Sequence, residues 1–108
     1  MRRVVLESPY AGDVENNVVY AKKCVHDCLL RNEAPIASHL LFTQPGVLND
    51  NEPAERILGI EAGLKWQEVA DMIVVYTDRG ISKGMKEAIE HAEYLKKPIE
   101  YRKLNVTS

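Results

Sequence analysis

Apolar residues recur along this chain in two alternating rhythms, short continuous runs and a spacing of three and four. Arg3 to Ser8 (RVVLES) is a β-rich run stopped by Pro9, which cannot donate to a sheet ladder, and it predicts a buried strand. The turn Tyr10-Ala11-Gly12 follows. Asp13 is a good N-cap, and Val18, Ala21, Val25, Cys28 and Leu29 keep a helical period to about Arg31. Ala34 to Ser38 (APIAS) predicts a second short strand, leading to His39 and the apolar Leu40, Leu41 and Phe42. Thr43 to Pro53 has the composition of a loop, long enough in a small domain to be functional or mobile. From Pro53 at a first helical turn, Ile57, Ile60, Leu64 and Trp66 mark a helix to about Val69, with Trp66 assigned to the core. Asp71 to Tyr76 (DMIVVY) is a continuous apolar run of the kind buried on both faces of a parallel sheet. Ser82 then caps a helix to about Leu95, and Lys97-Pro98 precede a last strand, Ile99 to Arg102. The domain is expected over residues 1–103, with 104–108 a frayed tail.

Strands alternating with helices across short turns imply right-handed parallel β-α-β units, an α/β fold with helices on both faces of the sheet. Ligands in such sheets bind outside the carboxyl ends of the strands. Ser8 to Asp13, His39 to Asp50 and Thr77 to Met85 all leave strands at that edge, so they can converge.

Composition narrows the function. The 108 residues make one domain, and a net charge of -2 with a pI near 5.9 leaves no basic excess for a nucleic-acid backbone. Polymeric nucleic acid is therefore not an expected partner. Cys24 and Cys28 share a helix face, but no second Cys or His pair completes a zinc pattern, so they read as reduced, partly buried thiols and no metal is expected. The start is too short in apolar residues for a signal peptide, and nothing approaches the ~18 of a membrane span, so a cytoplasmic location is expected.

The stretch Asp78 to Met85, running into RGISKGMKEAIEHA, carries the clearest chemistry. A helix N-terminus offers free amides and partial positive charge, Ser82 adds a hydroxyl, and Gly84 lets an anion approach with no Cβ in the way. A plain serine cap explains the same residues. Ser8, Tyr10 and Gly12 form a second turn at that edge, where Tyr10 could stack on a base or ribose and Gly12 could open the backbone. A tight turn capped by Asp13 is the alternative. His39 could reach phosphate or sugar, or be structural; His26 and His91 read as solvated helix residues, and Glu61 as facing either the cleft or solvent.

Taken in order, SPYAGDVENNVVYA, PIASHLLFTQ, ERILGIEAGL, ADMIVVYTD, GISKGMKEAIEHA and KKPIEYR resemble a family of small, often phage-encoded proteins. That family is related to the nucleoside 2-deoxyribosyltransferase superfamily, which includes nucleoside monophosphate N-glycosidases. The resemblance covers Val4 to Arg102. It implies a Rossmann-like three-layer sandwich with about five parallel strands, a homodimer or larger assembly, no cofactor, and a nucleotide held at the carboxyl edge. A host cytoplasm would be the setting of a phage-encoded member. In the N-glycosidase branch a Ser-x-Gly grips the 5′-phosphate, and a glutamate six positions past the serine attacks the anomeric carbon. Ser82 and Gly84 match the grip, but position 88 is Ala88, and counting back ten from Pro98 reaches the same alanine. A methyl group cannot form the glycosyl ester of covalent catalysis.

Three readings follow. The first is a nucleotide-binding protein, a sensor or phage decoy, that grips a nucleoside phosphate or ADP-ribose-like ligand through Ser8, Tyr10, Gly12, His39, Asp78, Ser82, Gly84 and Met85. The second is an N-glycosidase or deoxyribosyltransferase in which Glu61 or Glu87 supplies the carboxylate. The third is a protein-interaction domain with a vestigial site.

Overall fold

The structure, a computed structural model, describes residues 1–104. Its elements are β1 (Arg2–Glu7), α1 (Val14–Leu30), β2 (Glu33–Ile36), α2 (Ser38–Leu41), α3 (Pro53–Gln67), β3 (Met72–Tyr76), α4 (Lys83–Tyr94) and β4 (Ile99–Arg102). The four strands are all parallel in the order β2-β1-β3-β4, which puts the most apolar runs, β1 and β3, at the centre.

Strand parity divides the core into two layers, because successive side chains leave a strand on opposite faces. Val4, Leu6, Met72, Val74 and Tyr76 pack with Tyr20, Cys24 and Cys28 of α1. Val5, Ile73 and Val75 face the other way, onto Met85 and Ala92 of α4. Helices thus cover both faces of an α/β sheet.

Several expectations change. The sheet has four strands among the described residues, not about five, and Thr43 to Asn51 is spent on turns. The second strand begins at Glu33 rather than Ala34 and ends at Ile36, so Ser38 and His39 open the short helix α2. On α1 the buried stripe is Asn17, Tyr20, Ala21, Cys24 and Cys28, rotated from the apolar spacing so that Leu29 is exposed. Trp66 is 47% exposed because α3 turns Gly63 and Gln67, one helical turn apart, toward the body of the protein. Gln67 donates to the Ala88 carbonyl at 3.0 Å and meets His91 Nδ1 at 2.8 Å, so the half-buried His91 is also a tether. At the start of the expected tail the Leu104 amide donates to Asp78 at 2.9 Å and its side chain packs on the α1 layer; residues 105–108 lie outside the described residues.

Glu33 opens one edge strand and Arg102 ends the other. Their side chains meet across the α1 face in a bidentate pair at 2.8 and 2.7 Å, each 3% exposed. The guanidinium also reaches Tyr76 Oη at 3.3 Å and lies 5.9 Å from that ring's centre, while Tyr76 donates to Asp27 at 2.7 Å. Arg102 holds the Glu33 carboxyl below the usual range, so the stabilisation is present above the ordinary carboxylate pKa and is lost as pH falls through the folded value. Removing either charge leaves its buried partner with only a more exposed second ion pair, Glu100 at 2.8 Å from Arg102 or Arg2 at 3.5 Å from Glu33, and should be costly. Glu33→Leu and Arg102→Leu are each expected to lose about 3–5 kcal/mol in urea unfolding, and the double variant less than their sum. Additive losses would show that the two side chains act independently.

Candidate functional site

The carboxyl edge of the sheet carries a cavity of about 200 Å³, walled by the β1–α1 loop, α2, α3 and the start of α4. Glycine enables one of these walls to close: a Cβ at Gly63 would come within 3.1 Å of Ser38 Cβ, so α2 and α3 meet there through a bare backbone.

At the α4 end Ser82 has extended backbone and accepts from the Met85 amide at 3.3 Å, while its own amide meets Met85 Sδ at 3.4 Å. First-turn amides have no partner within the helix, so those of Lys83 and Gly84 are open at this corner. A Cβ at Gly84 would meet nothing within 4 Å, so the glycine keeps space open without being required by packing. Lys83 adds a cation at the same corner.

Opposite stand Ser8, Tyr10 and His39, which also line the cavity. Ser8 Oγ and His39 Nε2 are 2.7 Å apart. Burial pushes the His39 pKa down to about 4, so at neutral pH the ring is an uncharged hydrogen-bonding group and the positive charge for an anion lies at the α4 corner. The turn bearing Tyr10 is fixed by Asn17, whose amide donates to the Tyr10 and Ala11 carbonyls at 3.0 and 3.2 Å. Asn17 Oδ1 accepts from Arg79 Nε at 2.8 Å, which joins this turn to the β3–α4 loop. A polar residue on the inner stripe of α1 is the signal that sequence reading passed over.

Other expected site residues lie elsewhere. Gly12 is in the turn at φ +95° but outside the cavity lining. Asp78 accepts from Tyr20 Oη at 2.6 Å and from the Leu104 amide, fastening α1 and the chain after β4. Glu61 is exposed and does not line the cavity, because α3 presents Arg56, Gly59, Ile60 and Gly63 to it instead. Glu87 lines the cavity as an exposed residue, and Ala88 is buried in its wall. Asp50 and Glu55 add carboxylates at the mouth, Asp50 4.0 Å from Arg56.

One lining residue was not anticipated. Glu7 ends β1 level with Val75 of β3, and its parity is that of Val5, so it projects into the α4 layer. Its carboxyl has no hydrogen bond or ion pair with any described residue. Desolvation with no compensating partner pushes its pKa up to about 8. A carboxyl protonated in the folded state lowers stability as pH rises: the loss begins near the unfolded pKa, grows by at most about 1.4 kcal/mol per pH unit, and is complete above the folded value. Glu7→Gln removes this slope. The urea stability of that variant relative to the natural protein should rise by about 1–3 kcal/mol between pH 5 and pH 8.5. A difference that does not change with pH would place the Glu7 carboxyl in water.

Known proteins share this architecture. A solved 2-deoxyribosyltransferase from the psychrotolerant bacterium Bacillus psychrosaccharolyticus superposes with a TM-score of 0.65 at 14% identity, over 98% of this chain and 77% of its own. A 2-deoxyribosyltransferase from Leishmania mexicana gives 0.65 at 10% identity, over 97% of this chain and 66% of its own, so this chain spans a little under two thirds of that protein. At such identities the likeness is one of fold. No curated protein matches the sequence. The model of a domain of unknown function, DUF7768, matches residues 2–102, and the chain belongs to that family.

Proposed function

We propose that the protein binds a small nucleoside phosphate or ADP-ribose-like ligand in the carboxyl-edge cavity and does not cleave it. The observation that carries this reading is the joining, around one cavity, of the open first turn of α4 with the turn bearing Tyr10. The phosphate is placed on the Lys83 and Gly84 amides with the Lys83 ammonium beside them, and the sugar and base run toward Tyr10 and the Ser8–His39 pair. The deoxyribosyltransferase fold supports a nucleoside-type ligand. Ala88 supports retention without turnover, since the wall at that position has a methyl group where a covalent mechanism needs a nucleophile. A binder of this kind suits a sensor or decoy of a nucleotide signal. Self-association is supported by the apolar side chains of Ile57, Leu58 and Trp66 that α3 leaves exposed.

A second reading, N-glycosidic cleavage, rests on Glu87, which lines the cavity one residue from Ala88. It differs from the first in its product, free base.

Thermal unfolding with nucleoside mono- and diphosphates, cyclic nucleotides and ADP-ribose, followed by chromatography of each mixture, tests both. At least one ligand should raise Tm by roughly 5 °C or more well above its Kd, and be recovered intact. Released base would transfer the assignment to Glu87, provided Glu87→Gln abolishes it; no shift with any ligand would end the nucleotide reading. Gly84→Ala should separate fold from function. Its Cβ has room, so the unliganded protein should be as stable or gain about 0.5–1 kcal/mol, while the ligand-induced shift is lost. A variant that keeps the full shift would move the anion away from α4.

A further inference from the structure

We propose that Glu7 is a specificity-determining residue of this cavity, its carboxyl donating a hydrogen bond to an acceptor atom on the uncharged part of the ligand, beside Ala88. The inference rests on the nucleotide-binding reading and adds to it which atom type the cavity selects. Geometry makes the case first. Glu7 comes from a central strand, on the face that holds Val75 and Met85, and lines the same cavity as Ala88. No described side chain answers its carboxyl, so a group entering the cavity is its available partner.

The surroundings decide the form in which it acts. The charged and titratable groups facing the cavity are His39 from α2, Asp50 from the long loop, Glu55 and Arg56 from α3, and Lys83 and Glu87 from α4. Tyr10 completes them from the β1–α1 turn. His39 is uncharged at neutral pH, and Arg56 lies near Asp50 at the mouth. Glu7 forms no ion pair with either cation. Near neutral pH the Glu7 group is therefore a carboxylic acid with one proton to give. Such a donor suits a ring oxygen, a base nitrogen or a carbonyl. It does not suit a phosphate, which has the α4 corner with its amides and lysine.

Calorimetric Kd values from pH 6.5 to 9.5 test this, with the ribo- and deoxyribonucleoside monophosphates and ribose 5-phosphate as probes. Binding to the natural protein should weaken more than tenfold between pH 7 and pH 9.5 as Glu7 loses its proton. Glu7→Gln presents an amide donor at every pH, so its affinity should be flat over that range. Phosphate ionisation is nearly complete by pH 7, and the remaining titrations are common to both proteins. Glu7→Leu should bind about tenfold or more weakly than Glu7→Gln throughout. The glutamine variant keeps size and polarity, so the comparison stands even where the leucine variant fails to fold. Parallel loss of affinity in the natural protein and Glu7→Gln would overturn the donor role while leaving nucleotide binding intact. Absence of binding to every probe at every pH would overturn both.

Discussion

The Glu33–Arg102 pair is the constraint on which the sheet depends. A four-stranded parallel sheet has two edges with unpaired backbone groups, and here one side chain from each edge strand reaches over the α1 face to meet its counterpart. The pair is dry, bidentate and braced by Tyr76, which is itself held by Asp27 of α1. Arg102 also fixes the end of β4, whose backbone carbonyl accepts from the Thr77 amide at 2.9 Å, directly before the loop that starts the site. Buried charge of this kind supplies less net stability than apolar packing could, but removing one partner costs more than the pair contributes.

From that sheet the site follows by parity. Even-numbered residues of β1 supply the α1 layer and odd-numbered ones the α4 layer, so extending the strand by one residue past Leu6 carries Glu7 into the space under the first turns of α4. Asn17 and Gln67 perform the same service for the walls. Each is a buried amide with partners on two sides, one fixing the β1–α1 turn to Arg79 and the other fixing α3 to α4. Rigid walls built by polar tethers leave the cavity itself with few internal partners, which is the condition under which a ligand can compete for them.

The sequence made the sheet legible wherever apolar residues were continuous. Met72 to Tyr76 is buried at every position because β3 is covered on both faces, and a continuous run is the signature of such a strand. Asp13, Ser82 and Pro53 marked helix starts because capping is local chemistry. What failed was the assumption that the buried side of a helix is its most apolar side. α3 buries Gly63 and Gln67 and exposes Trp66, since contact with α2 demands a missing side chain and contact with α4 demands a hydrogen bond. Glu7 was invisible for a related reason: at the end of RVVLES it reads as a polar strand terminus, and only pairing with β3 and cover from α4 turn it into a desolvated acid.

Ala88 and Glu7 acquire their meaning together. An ionised glutamate at position 88 would line the same cavity as the Glu7 carboxyl, and like charges in a poorly solvated space cannot both ionise freely. With alanine at 88 that conflict is absent, and desolvation leaves the acid on β1 its proton. Cleavage and recognition make opposite demands on a carboxyl group, the first for a bare nucleophilic oxygen and the second for a retained proton, and the proposed role of Glu7 is of the second kind.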